Sequence, residues 1–210
     1  MTLTVVADAP APLVPLEPHG FDRERAEAAV GELLRALGRD PGGTHLIDTP
    51  RRVVDGLREL LTPTPFEFTT FPNEDGYDEI VLVRGIRFTS LCSHHLLPFQ
   101  GIADVGYVPG ERLVGLSKLA RVVDWHARAP QVQERLTAQI ADHLDDRLAA
   151  RGVGVVMRAE HLCMSLRGAR VSGATTVTSA FRGDLSADAA FRAQFGAGGA
   201  MNEEEPWRTS

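Results

Sequence analysis

Lysine is almost absent from this sequence. Of its 22 basic residues 21 are arginine, and the one lysine is Lys118. A coding bias toward arginine removes incidental lysines, so the survivor is a candidate for a role that needs a compact ammonium. Cysteine is nearly as scarce, with Cys92 and Cys163 alone. The N-terminus also lacks the basic-then-apolar pattern of a secretion signal, so the expected setting is a thiol-reducing cytoplasm. No apolar run approaches the length needed to span a bilayer, and no membrane partner is expected. A broad basic surface is missing too: the net charge of -6 argues against a nucleic-acid binder.

What remains is ordinary globular material, 43% hydrophobic and 24% charged, and 210 residues suffice for one domain with a good-sized core plus an appendage. Residues 1–19 hold four prolines and no periodicity, so they read as a flexible N-terminal arm. Ala26, Val30, Leu33, Leu34 and Leu37 share one face of a helix predicted between Phe21 and Leu37. Asp48 or Thr49 can cap a second helix, with Pro50 in its first turn.

Residues 79–91 predict one strand or two short ones, and "IADVGYV" another before a turn at Pro109 and Gly110. Ser117 opens a predicted helix through about Arg128. A further helix runs from Pro130 to about Ala150 and stops at Arg151 and Gly152. "VGVVMRAEHLCMSLRG" alternates like one long strand, and "ATTVTSAF" supplies the last. The closing fifteen residues read as frayed. Runs of helices and strands segregated in this way suggest α+β with an antiparallel sheet.

The chemistry concentrates in "SLCSHHLLPFQG". Cys92 and His95 stand at a chelating spacing. In a regular strand such a pair faces opposite ways, so a turn is required, and Pro98 makes one plausible. A third ligand must come from afar, and the other cysteine is Cys163. Extended as a strand, His161, Cys163, Ser165 and Arg167 would share one face, with Leu162, Met164 and Leu166 on the other. Zinc takes thiolate and imidazole, and a catalytic site leaves one position to water. The same residues also fit a disulfide, or a closed four-ligand site completed by His94 or His161. Spacing alone does not choose.

In "VGLSKLAR", Ser117 lies at a helix start with Lys118 and Arg121 three apart on one face. Free N–H groups, a hydroxyl cap, an ammonium and a guanidinium make a reasonable phosphate site; the plain alternative is a capped helix with solvated charges. Glu134 in "PQVQERL" either compensates the helix dipole or accepts two hydrogen bonds from a guanine edge.

Taken in order, "DTPRRV", "LCSHHLLPF", "GYVPGERLVGLSKLAR", "PQVQERLT", "EHLCMSLRGAR" and "TTVTS" resemble GTP cyclohydrolase I over roughly residues 21–183. The resemblance implies the tunnelling (T-) fold, an antiparallel sheet with helices on one side and a barrel completed by oligomerisation into a toroidal homodecamer. It divides the chain into an arm (1–19), an N-terminal helical segment (20–62), a catalytic domain (63–185) and a C-terminal helix with a frayed tail (186–210). It implies conversion of GTP and water to 7,8-dihydroneopterin triphosphate and formate, the entry to folate and other pteridines.

Position by position, the resemblance makes Cys92, His95 and Cys163 ligands of Zn2+, and His94 and His161 acid/base groups. It gives Glu134 the guanine edge, and Ser117, Lys118, Arg121 and Arg167 the triphosphate. Arg52 matches an arginine that reaches the phosphates from another subunit. Ser93 departs from the pattern, which usually has glutamate there, and Ala129 stands where a basic residue is common. A zinc nucleobase deaminase is a poorer reading, because the H-x-E and P-C-x-x-C signatures are absent. A non-catalytic relative with structural zinc would have little need of both imidazoles.

Overall fold

The alternating run that begins at Gly152 forms the middle of the architecture. This strand, β6 (Gly152–His161), pairs antiparallel with β3 (Pro98–Val108), from Val108 opposite Gly152 to Phe99 opposite His161. On the far side of β3 lies β2 (Val81–Cys92), and on the far side of β6 lies β7 (Thr176–Arg182), both antiparallel. A two-residue β5 (Pro130–Gln131) runs parallel to the end of β2, giving the order β5-β2-β3-β6-β7. A separate ladder joins β1 (Thr70–Pro72) to β4 (Arg112–Val114). The computed structural model describes residues 20–196. The expected N-terminal arm and almost all of the frayed tail lie outside those residues.

Period-two alternation decides what each face of the sheet buries. Ala103, Val105 and Tyr107 of β3 and Val153, Val155 and Met157 of β6 point to one face. There they meet Leu119, Val122 and Val123 of α3 (Leu116–Ala127) and Leu136, Ile140 and Leu144 of α4 (Gln133–Leu148). Each of the valine, leucine, isoleucine and methionine side chains among them contributes roughly 1.5–3 kcal/mol by leaving water. Before the sheet, α1 (Arg23–Ala36) packs on α2 (Thr49–Leu61), with Arg23 Nη1 2.7 Å from Asp55 Oδ1.

The expectation of helices on one side alone is corrected at the C-terminal end. The short α6 (Ala189–Gly196) lays Phe191 and Phe195 against Val108 and Val156, on the face opposite α3 and α4. Gly154 makes the seat: a Cβ there would lie 2.3 Å from the Phe195 ring. Alternation cannot reveal such a seat, because a glycine that leaves room looks the same as one that weakens a strand.

On that same face a buried ion pair ties four elements together. Arg158 Nη1 lies 2.9 Å from Asp104 Oδ2, and both side chains are almost wholly covered. Asp104 Oδ1 also accepts from Gly85 N at 3.0 Å, where β2 bulges and Gly85 takes a φ of 71°. Arg158 Nη2 reaches Phe195 O of α6 at 3.4 Å. Asp104→Ala strands the guanidinium without its partner, and a loss of about 3–5 kcal/mol in urea unfolding is expected. Replacing both members by apolar residues of similar volume should recover much of that loss.

Three predicted boundaries are corrected. α4 begins at Gln133 rather than Pro130, because Pro130 and Gln131 pair with Leu91 and Cys92. It ends at Leu148, with Ala149 in the left-handed region at φ 45°. The long strand expected to continue past His161 stops there, and Leu162–Ser165 form one helical turn, α5, closed by Leu166 N to Leu162 O at 3.1 Å.

Candidate active site

The end of β2 and the end of β6 lie at the same end of the sheet, flanking the start of β3, because β3 pairs with both. β2 delivers Cys92, and a tight turn follows. His95 N and Leu96 N both donate to Cys92 O, at 3.2 and 2.8 Å, and Cys92 N donates to Leu97 O at 2.9 Å. Leu96 sits in the left-handed region at φ 54°, a conformation that costs a side-chain-bearing residue about 1 kcal/mol or more. The turn folds the imidazoles back, so that His95 Nδ1 lies 3.7 Å and His94 Nδ1 3.8 Å from Cys92 Sγ.

Cys163 arrives from α5, two residues past the end of β6. Its position in a helical turn, rather than on a strand face with His161, Ser165 and Arg167, is what swings the thiol toward the β2 turn. The donor atoms of Cys92, His95 and Cys163 all lie within 4.8 Å of one another. Both cysteines are free, so the disulfide reading does not hold. Burial raises the Cys163 thiol's pKa and the neighbouring Cys92 raises it further. A divalent cation between the two thiols would offset that repulsion.

Two thiols and an imidazole are donors that zinc accepts, and three of them are the number that leaves a coordination position open. His161, offered in the sequence reading as a fourth ligand, turns its Nε2 to Gln133 Oε1 at 2.7 Å instead. Its ring lies flat on Phe99, with centroids 4.6 Å apart and planes within 2°. Burial lowers its pKa below the usual imidazole value, with Glu134 opposing the shift. Glu134, exposed in the first turn of α4, is therefore close enough to act on that ring.

The remaining expected residues make no bond to the cluster, though Arg167 is close enough to Cys163 to oppose the rise in its pKa. Ser117, Lys118 and Arg121 occupy the first turns of α3, but Ser117 is its second residue and caps nothing; Gly115 holds the N-cap position without a side-chain bond. Arg52 pairs with Asp48 at 2.9 Å on α2. Among the described residues, no hydrogen bond or ion pair ties these four, or the exposed Arg167, to the Cys92–His95–Cys163 cluster. Ser93 accepts from Arg135 Nη2 at 3.3 Å. Sequence reasoning missed Phe99 and Gln133, the two residues that hold His161. The only signal for Gln133 was its place beside Glu134.

A second imidazole pair lies between α3 and α4. His126 Nε2 is 3.0 Å from His143 Nδ1, and His143 Nε2 is buried with no hydrogen-bond partner among the described residues. Burial takes both pKa values down to about 4, helped at His143 by His126 and Arg147 and opposed at His126 by Asp142. The folded chain thus binds fewer protons than the unfolded one between pH 6.5 and 4, so stability rises with pH there. Urea midpoints should fall steadily as pH drops through that window, and His143→Leu should flatten the slope.

The model of the family described as GTP cyclohydrolase I matches residues 26–198. The GTP cyclohydrolase 1 of Mycobacteroides abscessus is 55% identical over 183 residues, covering 84% of this chain and 89% of that protein. Its counterpart in Mycobacterium ulcerans is 54% identical over 182 residues, covering 84% and 90%. In Corynebacterium glutamicum the figures are 51% over 181 residues, covering 83% and 91%. The residues that build the thiol–imidazole cluster and its neighbours all fall inside these matched stretches, and the chain belongs to the GTP cyclohydrolase I family.

Proposed function

We propose that the chain hydrolyses GTP and rearranges the product to 7,8-dihydroneopterin triphosphate, releasing formate, with Zn2+ as its cofactor. The observation that carries this reading is the convergence of Cys92, His95 and Cys163 within 4.8 Å, beside a half-buried His161 and an acidic Glu134. In this reading residues 63–185 form the catalytic domain, with 20–62 as a helical segment packed before it. Zinc held by the two thiolates and His95 would supply a Lewis acid able to bring a water pKa to about 7.

The chain's own residues supply the rest. Glu134 accepts two hydrogen bonds from the guanine edge and fixes which way the imidazole carbon C8 faces. His161 transfers a proton at N7 as C8 becomes tetrahedral, an exchange that an imidazole can make in either direction. His94, exposed at the mouth of the site, serves the second transfer when the ring opens. Ser117, Lys118, Arg121 and Arg167 hold the triphosphate; the last three are in no ion pair among the described residues, which leaves their charge for a ligand.

The absence, among the described residues, of any bond from the first turns of α3 or from Arg52 to the metal cluster supports a site completed between subunits, with Arg52 reaching a neighbour's phosphates and the barrel closed in a toroidal decamer. The product's use in folate or another pteridine follows from the reaction class. A cytoplasmic location accords with a helix set in which, among the described residues, none is long and apolar enough to cross a membrane. The test is stoichiometric formate release from GTP by the zinc-loaded protein, with a product that oxidises to a fluorescent pterin. A folded, zinc-bearing protein that binds GTP without releasing formate would sink the reading.

A further inference from the structure

Gln133 is almost fully buried, 1% exposed, at the first position of α4. Its amide has one end that only donates and one that only accepts. The donating Nε2 lies 3.0 Å from Thr176 O, 3.3 Å from Met157 O and 3.1 Å from Thr178 Oγ1. Two of those partners are backbone carbonyls, which cannot donate. Turning the amide over would press Oε1 against both in a dry interior, where an unpaired polar contact costs about 1–3 kcal/mol.

The hydroxyls lock the same orientation. Thr137 Oγ1 donates to Gln133 O at 2.7 Å and lies 2.6 Å from Thr178 Oγ1. With the Thr137 proton committed, Thr178 donates to Thr137 and is left to accept from the Gln133 amide. The circuit runs from Gln133 Nε2 to Thr178, to Thr137, and back to Gln133 O, with each hydroxyl hydrogen used once and the second amide hydrogen left to the carbonyls of Thr176 and Met157. The end of Gln133 that faces His161 Nε2 at 2.7 Å is therefore the carbonyl oxygen. An acceptor at that distance requires a hydrogen on Nε2.

We propose that Gln133 is a positioning residue that keeps the neutral His161 ring in its Nε2–H form, so that Nδ1 is the atom through which His161 exchanges protons in the reaction. The inference rests on the catalytic role proposed above for His161; the tautomer assignment itself rests on hydrogen-bond geometry alone. Phe99, stacked on the ring, sets its plane and leaves only a choice between two flips. The acceptor at Gln133 makes that choice. At Nδ1 a neutral ring then offers a lone pair and a protonated ring offers a hydrogen, the two states that a group acting in both directions needs.

The test is the 15N spectrum of histidine-labelled, zinc-loaded protein, with His161 assigned by difference against His161→Asn. The expected result is an Nε2–H ring in the unmodified protein. In Gln133→Met, which keeps the volume but removes the acceptor, the expected result is a mixed tautomer and a kcat for formate release lower by roughly 10²-fold, with little change in KM. An Nδ1–H ring in the unmodified protein overturns the proposal and needs no variant to fold. So does a Gln133→Met protein that keeps both the Nε2–H ring and its kcat. Thr178→Val, which removes a partner of the amide without touching His161, should move the tautomer in the same direction by less. An Nε2–H ring in a protein that releases no formate would overturn the catalytic reading and leave the tautomer assignment standing.

Discussion

Cys163→Ala is expected to abolish formate release from GTP and to leave the purified protein with substoichiometric zinc. Cys163 is the one donor of the three that reaches the site from a different part of the chain, through α5. Cys92 and His95 sit on a single turn held by its own backbone bonds. Losing the distant thiol leaves a two-donor chelate, and zinc sites need at least three protein ligands to persist. Removal of a mere supporting contact around a metal ligand lowers affinity about 10–100-fold, and loss of the ligand itself should exceed that. Metal analysis and the formate assay on the same preparation decide the matter. A Cys163→Ala protein with full zinc and normal turnover would show that the ion, if functional, lies elsewhere.

His161→Asn should reduce turnover by about 10²–10⁴-fold while zinc content and GTP binding persist. The imidazole touches Gln133 and Phe99, and asparagine preserves a donor for the Gln133 carbonyl without a ring that can shuttle protons. The two variants therefore separate two failures: one protein loses its metal, the other keeps it and loses the proton. If His161→Asn turned over normally, the proton-transfer role would pass to His94, which lies 3.8 Å from the Cys92 thiol on the exposed side of the turn.

Much of this was legible in the residues themselves. The C-x-x-H spacing with one distant cysteine marked the three donors that the fold brings together, because scarcity left no other thiol to choose. Alternation in "VGVVMRAEH" located the central strand and its buried face. The same alternation misled beyond His161: "HLCMSLRG" continues the pattern, while the backbone turns helical and then passes through Gly168 and Arg170 at positive φ. Periodicity reports which residues are apolar and carries no information on where hydrogen bonds to a neighbouring strand run out. Pro130 read as a helix start for a similar reason, since a two-residue parallel pairing leaves no trace in local pattern. Gln133 was invisible because a buried amide is recognised by its partners, and those come from β6 and β7.

The short parallel pairing of Gln131 with Cys92 has a mechanical consequence. Ser93 N donates to Gln131 O at 2.9 Å, and only Val132 separates Gln131 from Gln133 and then Glu134. The cysteine–histidine turn and the start of α4 are thus one stiff bracket. With Glu134 reading the guanine edge as proposed, that bracket acts as a caliper whose two jaws are a carboxylate and a metal cradle. A purine enlarged at the reading edge could not be seated by spreading the jaws, since doing so would break the pairing of β5 with β2 at the edge of the sheet. Discrimination among bases would then be set by a fixed gauge length in the backbone rather than by any adjustable pocket wall.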